Sequence, residues 1–292
     1  MASIRELKGR IGSVSTTQKI TGAMKMISSA KMHKAMQALQ RIEPFRHQIQ
    51  ATIDNLLAAD SQYSSPLTVE RPIRNVGIVI QGSDEGLCGA FNMMLFKRML
   101  ETINRIKEDA GEEVAFTIYP IGKKIVSACR KLQLPDVRVA ELSYMTAKSS
   151  GEKIKQMCDE LTQAFLNEEL DSVEIVFMAF HSAGRQRLEN RIMLPVMAKN
   201  ADNETLSGKP YLFEPDVTAI FDEVIPLSVL ASLQESICQN RASEQAARVI
   251  AMQAANDNAK KLREALQLEY NKLRQQSITN ELLDILGGKV EG

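Results

Sequence analysis

The chain contains no tryptophan, and Phe, Tyr and Trp together make up only 5% of its 292 residues. A thick β-sandwich core built on large rings is therefore not expected; the 14 methionines suit long helices better. Net charge is also missing, with 36 Lys+Arg against 36 Asp+Glu. That disfavours a nucleic-acid binder relying on bulk positive charge. No run approaches the ~18 apolar residues of a membrane span. No apolar run follows the basic residues of MASIRELKGR, so no secretory signal is expected. The four cysteines (Cys88, Cys129, Cys158, Cys238) form no CxxC pair, and the three histidines (His33, His47, His181) are scattered. Neither a zinc site nor a Cys/His nucleophile pair is expected, and the thiols read as reduced and packed.

What is present is organised by period. Residues 1–57 read as one helix, with Ile4, Leu7, Ile11 and Val14 leading a seam that turns polar at Gln18 and Thr21. The seam resumes at Met24, Ile27 and Met32, then Leu39, Ile42, Ile49, Ile53 and Leu56; Pro44 should kink the helix without ending it. Residues 1–50 carry nine bases and only Glu6 and Glu43, a local charge of +7 that would favour an acidic partner.

Over 76–200 the period changes. Strands are expected at Val76–Ile80, Val114–Tyr119, Val137–Leu142 and Val173–Phe180, with helices near Ala90–Asp109, Lys123–Leu132 and Glu152–Glu168. Strands alternating with helices predict an α/β domain on a mainly parallel sheet. Segments 58–75 and 198–215, rich in Pro, Ser, Asp and Asn, read as its linkers.

From Asp216 to Leu286 a helical pattern returns, with Pro226 as its one proline and no glycine before Gly287. Met252, Ala255, Ala259, Leu262, Leu266, Tyr270 and Leu273 give it a thin heptad seam. Helices of about 55 and 70 residues would span about 80 and 100 Å at 1.5 Å per residue. A compact chain of this length is only roughly 50 Å across. The helices should therefore project, pairing as an antiparallel two-stranded coil with the α/β domain as a knob at one end.

The best candidate for chemistry is the loop Gln81-Gly-Ser-Asp-Glu-Gly-Leu-Cys-Gly-Ala90, between a strand and a helix start, where a phosphate could sit on backbone N–H groups. It lacks both the G-x-G-x-x-G and the G-x-x-x-x-G-K-[ST] spacing, and a turn using glycines at positive φ explains it better.

Several motifs carry a resemblance. Ser243-Glu-Gln-Ala-Ala-Arg-Val-Ile-Ala-Met252, Asn256-Asp-Asn258 and Tyr270–Glu281, with Arg10–Val14, Thr17–Met26 and Ser83–Asn92, resemble the signature of the γ subunits of bacterial F-type ATP synthases, in order along the chain. Glu85 stands where that family usually has arginine, and His181–Asn190 matches poorly. The resemblance implies an antiparallel coiled coil of the terminal helices with an inserted Rossmann-like α/β domain. It implies a rotor shaft inside a ring of α and β subunits, meeting the ε subunit and the membrane c-ring, and coupling proton flow to ATP synthesis or hydrolysis at the β subunits. The chain itself would have no catalytic residue, cofactor or metal, would bind no nucleic acid, and would be peripheral to the cytoplasmic face of the cell membrane. By the same resemblance Met24 and Lys25 would meet the lower part of a β subunit. Arg248, Arg274, Gln275 and Thr279 would contact the ring, and Tyr211, Phe213 and Glu214 would face the c-ring. Two other classes stay open: an α/β nucleotide- or phosphate-binding enzyme with helical arms, and a self-associating coiled-coil scaffold.

Overall fold

A computed structural model of the chain describes residues 3–59, 65–196, 214 and 216–287, the side chains of 54–59, 217 and 284–287 excepted. In order, the elements are α1 (Ile4–Ala59), β1 (Asn75–Gln81), α2 (Phe91–Ala110), β2 (Ala115–Ile121), α3 (Lys123–Cys129), β3 (Val137–Val139), α4 (Gly151–Leu166), β4 (Ser172–Ser182), β5 (Arg185–Leu194) and α5 (Val217–Gly287). The 56-residue α1 runs through Pro44, and the 71-residue α5 through Pro226. The contacts gather into two compact units, one of residues 1–29 with 248–292 and one of residues 30–247.

In the larger unit the sheet order is β3-β2-β1-β4-β5. The first four strands are parallel, as the alternation of strands and helices predicts. Residues alternate across its two faces. Val173, Ile175, Phe177 and Ala179 of β4 pack with α4, with Phe221, Ile225, Val229 and Leu233 of α5, and with Ile49 and Ile53 of α1. Val176 and Met178 face the other way with Val76, Ile78 and Ile80 of β1, onto Phe91, Leu95 and Met99 of α2. Burial on both faces explains why the central strands read as near-continuous apolar runs.

Two strand expectations need correcting. The third strand reaches only Val139 rather than Leu142. The fifth, β5, was not expected: it pairs antiparallel with β4 through a two-residue Ala183–Gly184 turn. Its Arg185-Gln-Arg-Leu-Glu-Asn-Arg stretch reads polar because β5 is an edge strand, fully burying only Met193 and Leu194.

The helical seams are also corrected, at Ile27 and Leu262, which are 54% and 51% exposed. On α1 one line of covered positions steps by alternating threes and fours: Ile4, Leu7, Ile11, Val14, Gln18, Thr21, Lys25, Ser28, Met32, Ala35, Leu39, Ile42, Arg46, Ile49 and Ile53. On the far part of α5 one such line runs Met252, Asn256, Ala259, Arg263, Leu266, Tyr270, Leu273 and Ser277. Both are strict heptads in which small or polar residues hold places that apolarity alone assigns to neighbours. In the smaller unit the two helices approach closely: a Cβ on Gly22 of α1 would stand 3.8 Å from Asn256 Oδ1 of α5.

Candidate functional site

A parallel sheet of this order has its topological switch point between β1 and β4, and ligands of such sheets bind off the carboxyl ends of those strands. Here α5 fills that position. Asn240 Nδ2 donates to the Gln81 carbonyl that ends β1 (3.1 Å), and its Oδ1 accepts from Met178 N of β4 (3.0 Å). Gln81 Nε2 donates to Ser236 Oγ, and all three polar side chains are almost wholly buried. Two strands' backbone groups are thus satisfied by a helix from the same chain.

The loop after β1 is closed on itself as well. Asn92 Oδ1 accepts from Ser83 N (2.9 Å), while Asn92 Nδ2 donates to Ser83 Oγ (2.8 Å). A Cβ on Gly82 would lie 2.6 Å from Ile125 Cβ, so close approach rather than backbone sign requires that glycine. In the loop only Gly89 and the exposed Leu87 have positive φ, so the expectation of positive-φ glycines holds for one glycine of three. Asp84 Oδ1 accepts from Lys123 N at the start of α3 and from Ala147 N. A carboxylate of the loop thus holds the amide at the start of α3, with Glu85 beside it paired to Lys148 at 2.8 Å.

A cavity of about 380 Å³ opens beside this loop, between Lys31, Lys34 and Ala38 of α1 and Cys238, Arg241 and Gln245 of α5. The Arg241 guanidinium donates to the carbonyls of Ala147 (2.6 Å) and Ser149 (2.7 Å), and burial lowers its pKa. All four cysteines are buried and free. Burial pushes Cys129 and Cys158 up to about 12 and raises Cys238, so these thiols are poor nucleophiles near neutrality. Among the described residues no three His, Cys, Asp or Glu side chains gather as metal ligands, and no helix is long and apolar enough to cross a membrane.

The residues singled out in the sequence do not form one site. Met24 and Lys25 are half-buried on α1, with Lys25 in the seam itself. Arg248 is only 3% exposed and is engaged within its own chain. Arg274, Gln275 and Thr279 stand exposed on one stretch of α5, where Thr279 Oγ1 donates to the Gln275 carbonyl (2.9 Å). Glu214 is exposed; Tyr211 and Phe213 lie outside the described residues.

Sequence reasoning missed a buried ion cluster. Glu235 of α5, 2% exposed, lies 2.8 Å from Arg46 Nε of α1 and 2.7 Å from Arg191 Nη1 of β5, both at its Oε2. Its Oε1 accepts from Gln239 Nε2 at 3.0 Å. The Arg46 contact is close but off the line a hydrogen bond requires, so it is chiefly Coulombic. Arg191 also stacks over Phe177, 5.2 Å from the ring centre. The readable signal was a charge at a heptad position: Arg46 continues the α1 seam, and Glu235 the α5 spacing back through Ser228, Ala231, Cys238, Ala242, Gln245 and Val249.

The family model described as ATP synthase matches residues 3–290. A Bacteroides fragilis protein named ATP synthase gamma chain is 39% identical over 295 residues, covering 99% of this chain and all of the relative. Its Flavobacterium johnsoniae counterpart is 36% identical over 292 residues, covering 99% and 98%. Among solved structures, a chain of the Euglena gracilis mitochondrial ATP synthase (OSCP/F1/c-ring) superposes with a TM-score of 0.60 at 18% identity, covering 98% of this chain and 93% of that one. A chain of the Tetrahymena thermophila central stalk/c-ring gives 0.55 at 20% identity, covering 81% and 99%. The last two share the fold; the full-length sequence matches carry the assignment, and the chain belongs to the ATP synthase gamma chain family.

Proposed function

We propose that this protein is the central rotor shaft of a bacterial F-type ATP synthase, a non-catalytic subunit that couples transmembrane proton flow to ATP synthesis or hydrolysis at the β subunits. Residues 1–57 and 216–286 form the shaft, and 76–200 the α/β domain carried on it. The partners are the α and β subunits of the catalytic ring, the ε subunit and the c-ring, at the cytoplasmic face of the cell membrane. Met24, Lys25, Arg248, Arg274, Gln275 and Thr279 serve the ring; Tyr211, Phe213 and Glu214 serve the c-ring side.

Beyond family membership, the observation that carries this reading is the far part of α5. There Leu262, Leu268, Ile278, Leu282 and Leu283 are 46–73% exposed. A helix that leaves this much apolar surface uncovered is built to be covered by other chains. The enzyme reading loses support because the crevice where such a sheet would hold a nucleotide is occupied by Ser236 and Asn240. The test is biochemical. The purified chain should hydrolyse no ATP alone, and should co-purify with α, β and ε subunits when expressed with them. Sustained hydrolysis by the isolated chain, or purification without α and β, would overturn the proposal.

A further inference from the structure

We propose that Glu235 is a positioning residue for rotary coupling: its buried carboxylate pins α1, α5 and the edge strand β5 in one register, so that torque passes between helices and sheet without slip. This rests on the rotor reading above. The three elements meet in the larger unit, where Arg46, Ile49 and Gln50 of α1 stand by Ser228, Val229 and Ser232 of α5 around a cavity of about 250 Å³. Most of what joins them is apolar: Ile49, Ile53, Val229, Leu233 and Leu194 share one cluster. Apolar burial is non-directional, so it holds helices together without fixing how far one has slid along the other. A buried charge at a heptad position does fix it, because sliding one turn would leave that charge unpaired in a poorly solvated place.

The geometry suits that task. Both guanidinium groups converge on one carboxylate oxygen and the Gln239 amide takes the other, so the carboxylate is held from three elements' side chains at once. Arg191 is itself oriented by the Phe177 ring of β4 and lies 3.4 Å from Ser232 Oγ. The cluster carries two cations and one anion. The side chains of Arg46 and Arg191 keep 21% and 27% exposure, which lets water hydrate the excess charge at the cavity rim. The pin also falls where α1 needs it. Pro44, two residues before Arg46, removes a helix N–H, so the chain is least self-supporting there.

The experiment uses the complete complex in inverted membrane vesicles, measuring steady-state ATP hydrolysis and ATP-driven proton pumping on the same preparation. Glu235→Gln keeps the shape and removes the charge. Removing the charge that holds Arg46 should raise hydrogen exchange of α1 around residues 46–53 roughly 10–100-fold. In complexes that still assemble, pumping should fall more than hydrolysis, because slip wastes rotation. Arg46→Gln, which leaves Glu235 bonded to Arg191 and Gln239, should lower the same ratio by less, and covers the case that Glu235→Gln fails to assemble. An unchanged ratio of pumping to hydrolysis in either assembled variant overturns the inference, even if thermal stability drops. Absence of coupled pumping in the unsubstituted complex would instead strike at the rotor reading.

Discussion

Along α5, the twenty residues from Ser228 to Ala247 include no exposed side chain, whereas between Asp257 and Leu283 only Ala259 and Leu266 are buried. The two stretches share one helix, but they belong to different compact units. The first is enclosed by sheet, loop and α1, and uses polar groups (Ser236, Asn240, Arg241) to cap strand ends and carbonyls. The second buries one narrow heptad stripe and leaves the rest free. A helix core satisfies its own backbone bonds, so what covers its faces is decided by side chains alone. The comparison teaches that one secondary-structure element can be a core component at one end and a contact surface at the other.

The contrast can be broken most sharply in the enclosed stretch. Leu233 is 0% exposed, so Leu233→Ala should cost about 2–5 kcal/mol of stability, read from denaturant unfolding of the isolated chain. A loss below about 1 kcal/mol would mean this stretch is not core. In the open stretch, the double substitution Arg274→Ala, Gln275→Ala should leave assembly normal and slow steady-state hydrolysis of the complex roughly 10–100-fold, if a charged hydrogen bond to the ring is lost at the rotational barrier. Normal assembly with normal hydrolysis would reduce those exposed residues to solvated helix surface. The smallest effect is expected at Leu268, 73% exposed: Leu268→Ser should move the isolated chain's stability by no more than about 0.5 kcal/mol. A larger loss would show that the far stretch is covered by its own chain after all.

Much of this architecture was legible in the sequence, because periodicity marks helices and strands wherever apolar residues carry the pattern. The strands β1, β2 and β4 and the two long helices fall within a few residues of their expected limits for that reason. The reading failed where polar residues do the packing. Ser28 is 3% exposed while the adjacent Ile27 is open, and the half-buried Arg263 takes the seam position expected of Leu262. Strand β5 was hidden by its arginines, although the two-residue turn ending in Gly184 is a hairpin signal. Of the Glu235 cluster only the charges at heptad positions were legible; the pairing was not, because its partners are 189 and 44 residues away and no local pattern joins Arg46 to Arg191.

Asn240 sits where a Rossmann-like sheet would ordinarily receive a diffusible ligand, and a ligand that is part of the chain obeys different arithmetic. Its effective concentration is set by the connecting chain, not by the cell, and stays high as long as the protein is folded. Occupancy therefore cannot report on any metabolite, and no dissociation step can loosen the domain. A sheet of a kind elsewhere suited to sensing or turnover becomes a permanent fixture, whose rigidity does not depend on what is dissolved around it.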